Sequence, residues 1–577
     1  MHKLLRVVPA SRHIAPLTFS EFAPTERDRG GAWLQGVRPY ILVSLLCLIL
    51  YVPGLAAIPP LDRDEARFAQ ATRQMLETGD FIRIRFQDEA RNKKPIGIYW
   101  LQAAAVAALS SAESSAIWPY RLPSALGALL AVLLTFGFGS RFLGSRPAAF
   151  IASVLLASAL GLIAEAHLAK TDAALLAAIV AGQGALGLVY IAARAGRHVS
   201  LPLVLLFWLA EAAAILLKGP PGPLLALLTV AVLSFTGWDL GWVKTLRPIL
   251  GSVLAGAIVA PWLIAVQGAT GGEFISDSIS HDLVPKLVGA QEAHGAPPGY
   301  YLALTVVSFW PGSLFLGPAL LQGWRRRRAE TERFLLAWLV PAWILFELVP
   351  TKLPHYVLPL YPALALLAGS AVAEGFGSRP SSSARFVNGV VKFLWAAVTF
   401  ALAVGLVVLP ERFGETVPAI VIAGGLVVFG LALTLLLQQW RPVFAAGLTA
   451  AMAVAFVLPA ALYVVPGLDS LWLSRSAAVA LAHHPPPPGE SVLSVGYSEP
   501  SLVFLLGTAT RLATAAPSDR QLSGAGVALV NERYDPEFRR SLLKHGLTVR
   551  ALDRVEGRDY SAGGGKLVLT IYRLEPD

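Results

Sequence analysis

From residue 40 to residue 465 the chain alternates long apolar runs with short polar turns. About 20 apolar residues carry a helix across the hydrocarbon of a bilayer. Runs of this kind lie at 40–58, 121–140, 147–166, 173–193, 201–217, 224–236, 248–266, 300–322, 334–349, 356–372, 386–409, 417–437 and 445–465, which predicts about 13 spans. The run 96–109 holds about 14 residues and reads as a re-entrant or interfacial helix. After residue 490 the pattern shortens. Strands are expected over 491–495, 526–531 and 566–572, with helices over 500–506 and 536–545, giving a small α/β domain.

Basic residues in short loops mark the cytoplasmic side of a membrane. Arg141 and Arg146, Arg194 and Arg197, Lys244 and Arg247, the run Arg325-Arg326-Arg327-Arg328, and Arg441 fall on one side of the predicted map. The loop 61–95, the loop 267–298 and the C-terminus then fall on the other, outer side. Four units are expected: a basic cytoplasmic tail at 1–38 leading into a retained signal anchor, a transmembrane domain at 39–466 whose first outer loop is 61–120, a proline-rich linker at 467–490, and an outer α/β domain at 491–577.

Composition sharpens this picture. Of 577 residues 55% are hydrophobic and 15% charged, and the mean hydropathy is +0.60. Soluble proteins carry roughly 25% charge, so a soluble globular enzyme is excluded. The net charge of +10 belongs to the loops beside the membrane. No basic-aromatic module points to nucleic acid. The single cysteine, Cys47, excludes an intramolecular disulfide and a multi-cysteine metal site.

The loop 61–95 breaks the charge rule, because an outer loop holds eight basic residues, Arg63, Arg67, Arg73, Arg83, Arg85, Arg91, Lys93 and Lys94, beside seven acids. An anionic ligand such as a lipid phosphate would account for them, and so would salt bridging within the loop. Over 62–78, Phe68, Ala69, Thr72, Met75 and Leu76 have the one-sided spacing of an interfacial helix, with Gly79 as its stop. Asp62 and Glu65 have capping-box spacing, which gives Glu65 a structural duty that Asp64 lacks. A second cluster, Glu165, His167, Lys170, Thr171 and Asp172, lies at the outward end of one span and the start of the next, where Asp172 could equally be an N-cap. A third, Lys352, His355 and Tyr356, sits between prolines at the same depth.

These segments together carry a resemblance. Asp62-Arg63-Asp64-Glu65-Ala66-Arg67, Met75-Leu76-Glu77-Thr78-Gly79-Asp80, Lys94-Pro95-Ile96-Gly97-Ile98-Tyr99-Trp100, Thr171-Asp172, Lys352-Leu353-Pro354-His355-Tyr356 and the stretch from Gly496 through Glu499 to Phe504 resemble the bacterial integral-membrane glycosyltransferases of the aminoarabinose transferase and protein O-mannosyltransferase superfamily. The resemblance implies a GT-C fold in the bacterial inner membrane, a polyprenyl-phosphate sugar as donor, and an active site and C-terminal domain facing the periplasm. It implies catalytic roles for Asp64 and Asp172, with Glu65 beside them, and donor-phosphate binding by Lys94 with Arg67 or Arg91. Lys352, His355, Tyr356, Tyr99 and Glu499 are further site candidates. Lipid A, another envelope lipid or glycan, or a secreted protein is the implied acceptor. Many relatives read Lys-Pro-Pro where this chain reads Lys94-Pro95-Ile96.

A transporter is the rival from another class. Transporters gather polar residues at the membrane midplane and often repeat their halves. Here the predicted spans are almost free of charge, with Glu211 and Glu347 nearest to exceptions, and no internal repeat is seen. Asp64, Glu65, Asp172 and His355 are types that could ligate a divalent metal, but their spacing is no metal motif, so the cofactor is left open.

Overall fold

The computed structural model describes residues 34–285, 289, 295–375, 382–414, 416–437 and 442–577. The predicted tail as far as residue 33 and the basic turn at Arg441 lie outside the described residues. Among the described residues eight helices are long and apolar enough to cross a membrane, and a pair bent by 60° makes a ninth if counted as one span. The protein is a polytopic helical membrane protein. The apolar helices Arg38–Tyr51, Gly97–Leu109 and Pro221–Gly237 are shorter. The run 300–322 is broken into Tyr300–Ser308, a 3-10 turn Gly312–Phe315 and Leu316–Arg325. Pro311, which has no N–H to continue a helical ladder, stands at the break. Helix length alone thus supports eight or nine crossings, fewer than the apolar runs suggest.

The site is framed by the first eight helices, α1 (Arg38–Tyr51), α2 (Asp64–Thr78), α3 (Gly97–Leu109), α4 (Trp118–Phe142), α5 (Arg146–Ala157), α6 (Leu160–Ala166), α7 (Asp172–Arg194) and α8 (Leu201–Lys218), together with the loop before α3 and the 3-10 turn Pro354–Leu360. α5 and α6 are the bent pair. α7 is central, with 83% of its apolar window buried, against 22% in Pro248–Ala269, whose Ile249, Val253 and Ile264 are exposed as a lipid-facing side would be. α4 meets α7 closely at Gly127, where a Cβ would stand 2.6 Å from the Cα of Ala174.

α2 begins with Asp64 and Glu65 in its first turn, favourable at the positive end of the helix dipole, and stops at Gly79 in the left-handed conformation, φ 70°. The expected capping box is not formed. Glu65 accepts instead from the backbone N–H of Leu61 at 2.8 Å, and the Asp62 carboxylate turns to Ser501. The helix is also covered on both flanks, beyond the single face its apolar spacing predicts. Phe68 and Thr72 pack toward α3, through Tyr99 and Gln102, while Gln70, Arg73 and Glu77 face the C-terminal domain.

That domain is a five-stranded sheet of β1 (Ser491–Val495), β2 (Arg511–Ala513), β3 (Ala525–Asn531), β4 (Leu547–Asp559) and β5 (Gly565–Pro576), in the order β2-β1-β3-β5-β4. β1 runs parallel to β2 and β3, and β5 runs antiparallel to β3 and β4. The expected strands and helices are present. β2 and β4 were not foreseen, because β2 has three residues and the apolar alternation of β4 is interrupted by an irregularity between Ala551 and Asp553 in a charge-rich edge. The segment 467–490, read as a linker, contains the helix Leu473–His483, whose Leu473, Ala477 and Leu481 close one face of the sheet.

Candidate active site

A buried ion pair organises the entrance to the first outer loop. Arg121, in the first turns of α4, is fully buried, and its guanidinium donates to the carbonyls of Leu55 (2.8 Å), Ile58 (2.7 Å) and Pro59 (3.0 Å) and to both carboxylate oxygens of Glu65 (2.8 Å each). Glu65 further accepts from the N–H groups of Leu61 and Ala169, both at 2.8 Å. Every partner of a buried charge is thereby met, which is what makes such a pair tolerable. The reading of Glu65 as a catalytic residue is therefore revised: its oxygens are spent inside the protein, tying the end of the first apolar segment, the start of α2 and the 167–171 turn to α4.

One residue earlier, and about 100° around the helix, Asp64 points the other way. Its side chain is 59% exposed. Nη2 of Arg91 lies 4.0 Å from its carboxylate. The Arg91 guanidinium stacks 5.0 Å over the Phe68 ring, and its Nε donates to the Tyr99 hydroxyl at 3.3 Å. Tyr99 is fully buried, so Arg91 is held on a fixed support.

Close enough for Asp64 to act electrostatically on its Lys170 is a cluster from three separate stretches. Lys170 donates to Glu165 at 3.1 Å and stands 3.8 Å from Asp172. Lys218, the last residue of α8, bonds the same Asp172 and sits 5.8 Å from the centre of the Tyr356 ring. His355 places Nδ1 3.8 Å from Glu165 and Nε2 3.7 Å from Asp172, and its ring meets Tyr356 edge to face. Burial works against the ammonium of Lys170, but Glu165, Asp172 and Asp64 outweigh it and raise its pKa above the ordinary lysine value. Lys94 is half-buried and close enough to act electrostatically on His355. Asp64, Arg91, Lys94, Glu165, Lys170, Asp172, Lys218, His355 and Tyr356 thus share one electrostatic environment.

Three expected site residues lie elsewhere. Lys352 donates to the carbonyls of Phe346 (2.9 Å), Glu347 (2.6 Å) and Val349 (2.8 Å), so it caps the preceding helix Glu330–Leu348 and has no proton left for a ligand. Glu499 bonds Ser561 on the C-terminal domain, and Arg67 is near enough to Glu499 to favour its charged form. Arg67 and Glu499 therefore lie along the seam between α2 and that domain. Lys218 and Arg121 were passed over in the sequence. A lysine closing an apolar run looks like ordinary snorkelling, and the only signal for Arg121 is an arginine at the head of a span.

Glu165, Asp172 and His355 each offer one ligand atom within 4.8 Å of the others, and one Glu165 oxygen is buried without a partner. In ligand type this set would fit a divalent cation. Its two carboxylates already face two ammonium groups, however, so the cluster is charge-balanced as it stands. Asp64 and Glu65 are not part of that set.

The polytopic helical membrane fold thus carries an exposed carboxylate, Asp64, and two lysines, Lys170 and Lys218, on Asp172 at the head of its central helices. Residues 41–269 match the family model of dolichyl-phosphate-mannose-protein mannosyltransferases. The chain is 30% identical over 434 residues to an undecaprenyl phosphate-α-4-amino-4-deoxy-L-arabinose arabinosyl transferase of Pseudomonas aeruginosa, covering 72% of this chain and 75% of that one. It is 27% identical over 386 residues to an enzyme of the same name from Erwinia tasmaniensis, covering 65% and 66%. The fold matches the crystal structure of ArnT from Cupriavidus metallidurans bound to undecaprenyl phosphate, with a TM-score of 0.70 at 20% identity over 92% of this chain and 97% of that one. The chain belongs to the aminoarabinose transferase and protein O-mannosyltransferase superfamily, and it is a glycosyltransferase.

Proposed function

We propose that this enzyme moves a sugar from a polyprenyl-phosphate donor to an envelope acceptor, lipid A or another lipid or glycan, on the periplasmic face of the bacterial inner membrane. The observation that carries the reading is the exposed Asp64 carboxylate, close enough to act electrostatically on Lys170 of the lysine-rich cluster around Asp172. The names of the relatives support a donor of the undecaprenyl-phosphate aminoarabinose type. The helices Arg38–Tyr51, Pro221–Gly237 and Glu330–Leu348 and the broken run 300–325 are read as further crossings, which with the nine counted by length brings the number to the expected 13.

In this reading the acceptor oxygen attacks C1 of the sugar as the bond from C1 to the phosphate oxygen breaks, and the pair of electrons leaves with the polyprenyl phosphate. One displacement inverts C1. Lys94 and Arg91 neutralise the departing phosphate. Asp64 orients and deprotonates an acceptor hydroxyl. If the acceptor is itself a phosphate it is already anionic, and Asp64 instead stabilises positive charge developing on the sugar. Asp172, pinned by Lys170 and Lys218, shapes the cavity rather than moving a proton.

The test is mass spectrometry of envelope lipids and secreted proteins from cells with the wild-type enzyme, with none, and with Asp64→Asn. Loss of one glycosyl mass from a lipid in both altered strains is the expected result. The same loss from a protein would place the enzyme on the O-mannosyltransferase side. No loss anywhere, with the variant properly inserted, would overturn the proposal.

A further inference from the structure

We infer that the C-terminal domain is a positioning element of the active site, which holds the first turn of α2, and so Asp64, through Ser501, Tyr560 and Ser561. The inference rests on the catalytic role proposed for Asp64. It starts from a local problem in the chain. The residue before α2, Arg63, is not glycine yet has φ 64°, and it supplies no side-chain cap to the helix. A side chain in that region is strained and persists only where its surroundings impose it.

The surroundings come from the C-terminal domain. The Arg63 guanidinium bonds the carbonyl of Ser561, the backbone N–H of Asp62 donates to the Tyr560 hydroxyl at 2.8 Å, and Ser501 donates to the Asp62 carboxylate. These partners are themselves fixed. Ser501 is 1% exposed and lies 2.6 Å from Ser474 on the helix Leu473–His483. The 559–562 turn is held by Asp559, which accepts from the Ser561 hydroxyl at 2.9 Å and from the N–H of Ala562 at 3.1 Å. Contacts on both sides of the helix entry thus impose a backbone turn that the local sequence does not favour.

The attachment continues along α2. Gln70 donates to Thr508 at 2.7 Å, Thr508 donates to Glu77 at 2.7 Å, and Arg73 donates to the carbonyl of Phe504 at 2.9 Å. Phe504 is fully buried and packs with Ala69 of α2, Tyr120 of α4 and Ala169 of the turn that leads to Lys170. One side chain of the C-terminal domain therefore belongs to a buried cluster that includes supports of both halves of the site. A misplacement of about 1 Å in a reacting group costs about 100-fold in rate, so this seam acts on turnover.

The test uses the full-length enzyme in lipid, with Ser501→Ala and Tyr560→Phe alone and combined, and Arg550→Ala on the exposed strand β4 as a control. Hydrogen exchange over 61–67 and over β3, the KM for the polyprenyl-phosphate donor, and kcat are measured. The double variant should lower kcat about 10- to 100-fold with KM little changed. Exchange should quicken over 61–67 but not in β3, and the control should do neither. Ser501→Thr, which keeps the hydroxyl, should restore most of the rate. Unchanged exchange over 61–67 would overturn the inference, as would faster exchange with unchanged kcat. An active Asp64→Asn would instead remove the catalytic assignment and leave the exchange result standing.

Discussion

Asp64 and Glu65 are neighbours in sequence with the same chemistry, and the structure gives them opposite duties that one set of variants separates. In Arg121→Met the Glu65 carboxylate stays buried with its countercharge gone, and the carbonyls of Leu55, Ile58 and Pro59 lose their donors. Removing one partner of a buried ion pair costs about 3–5 kcal/mol. Glu65→Gln leaves the arginine with an uncharged partner and belongs in the same range. Asp64→Asn changes an exposed group and should leave stability within about 0.5 kcal/mol of the wild type. Turnover should fall about 100- to 10,000-fold if Asp64 is the base. Thermal unfolding of enzyme in lipid nanodiscs, run beside initial rates of sugar transfer, reads both quantities. The combination Glu65→Gln with Arg121→Met removes both charges, so it should be less destabilised than the sum of the two single changes. A Glu65→Gln enzyme that is as stable as the wild type but inactive would refute the scaffold assignment, and so would an Arg121→Met enzyme that unfolds at the wild-type temperature.

Three further outcomes are expected. Lys218→Met leaves Asp172 with Lys170 and His355 as its neighbours, so kcat should drop while the protein still inserts; a rate equal to wild type would show that the Asp172 contact is idle. Lys352→Met should lower the unfolding temperature through the lost cap on Glu330–Leu348 and leave the donor KM unchanged, and a raised KM with normal stability would return Lys352 to the ligand site. Burial pushes the Asp62 carboxyl up to about 7, with Glu499 and Asp559 adding to it against the hydrogen bonds from Ser501 and Tyr560. Because a raised pKa favours the neutral acid in the folded state, the stability tied to that proton is greatest below the ordinary carboxylate value and is lost as the pH rises to about 7. Unfolding temperatures measured across that window should decline in the wild type and less in Asp62→Asn, and parallel curves would refute the assignment.

Much of the site was legible because its parts are rare residues in an apolar chain. Asp172 and the Glu165–Lys170 pair stand out from runs of alanine and leucine, and the unusually basic first loop marked the face where Arg91 and Lys94 are found. Partnership was not legible. Asp62-Arg63-Asp64-Glu65 offers three carboxylates in four positions, and which of them faces solvent depends on Arg121, 56 residues from Glu65, and on Ser501, 439 residues from Asp62. The long apolar runs gave the helices well where composition is uniform. They misled where a proline breaks the ladder, as at Pro311, and in the C-terminal domain, where the short strand β2 has no periodicity to detect.

The bare contact at Gly127 has a mechanical consequence. Arg121 lies six residues, about 9 Å, toward the head of α4 from Gly127, and Asp172 lies two residues from Ala174 on α7. The two helices touch there through backbone, with no side chain between them to change rotamer, so the joint works as a rigid gauge rather than a cushion. Side-chain rearrangement elsewhere in the bundle can be absorbed without altering the gap between the two halves of the site. A single added methyl at Gly127, which alters no charge and no hydrogen bond, would instead wedge the two helix heads apart.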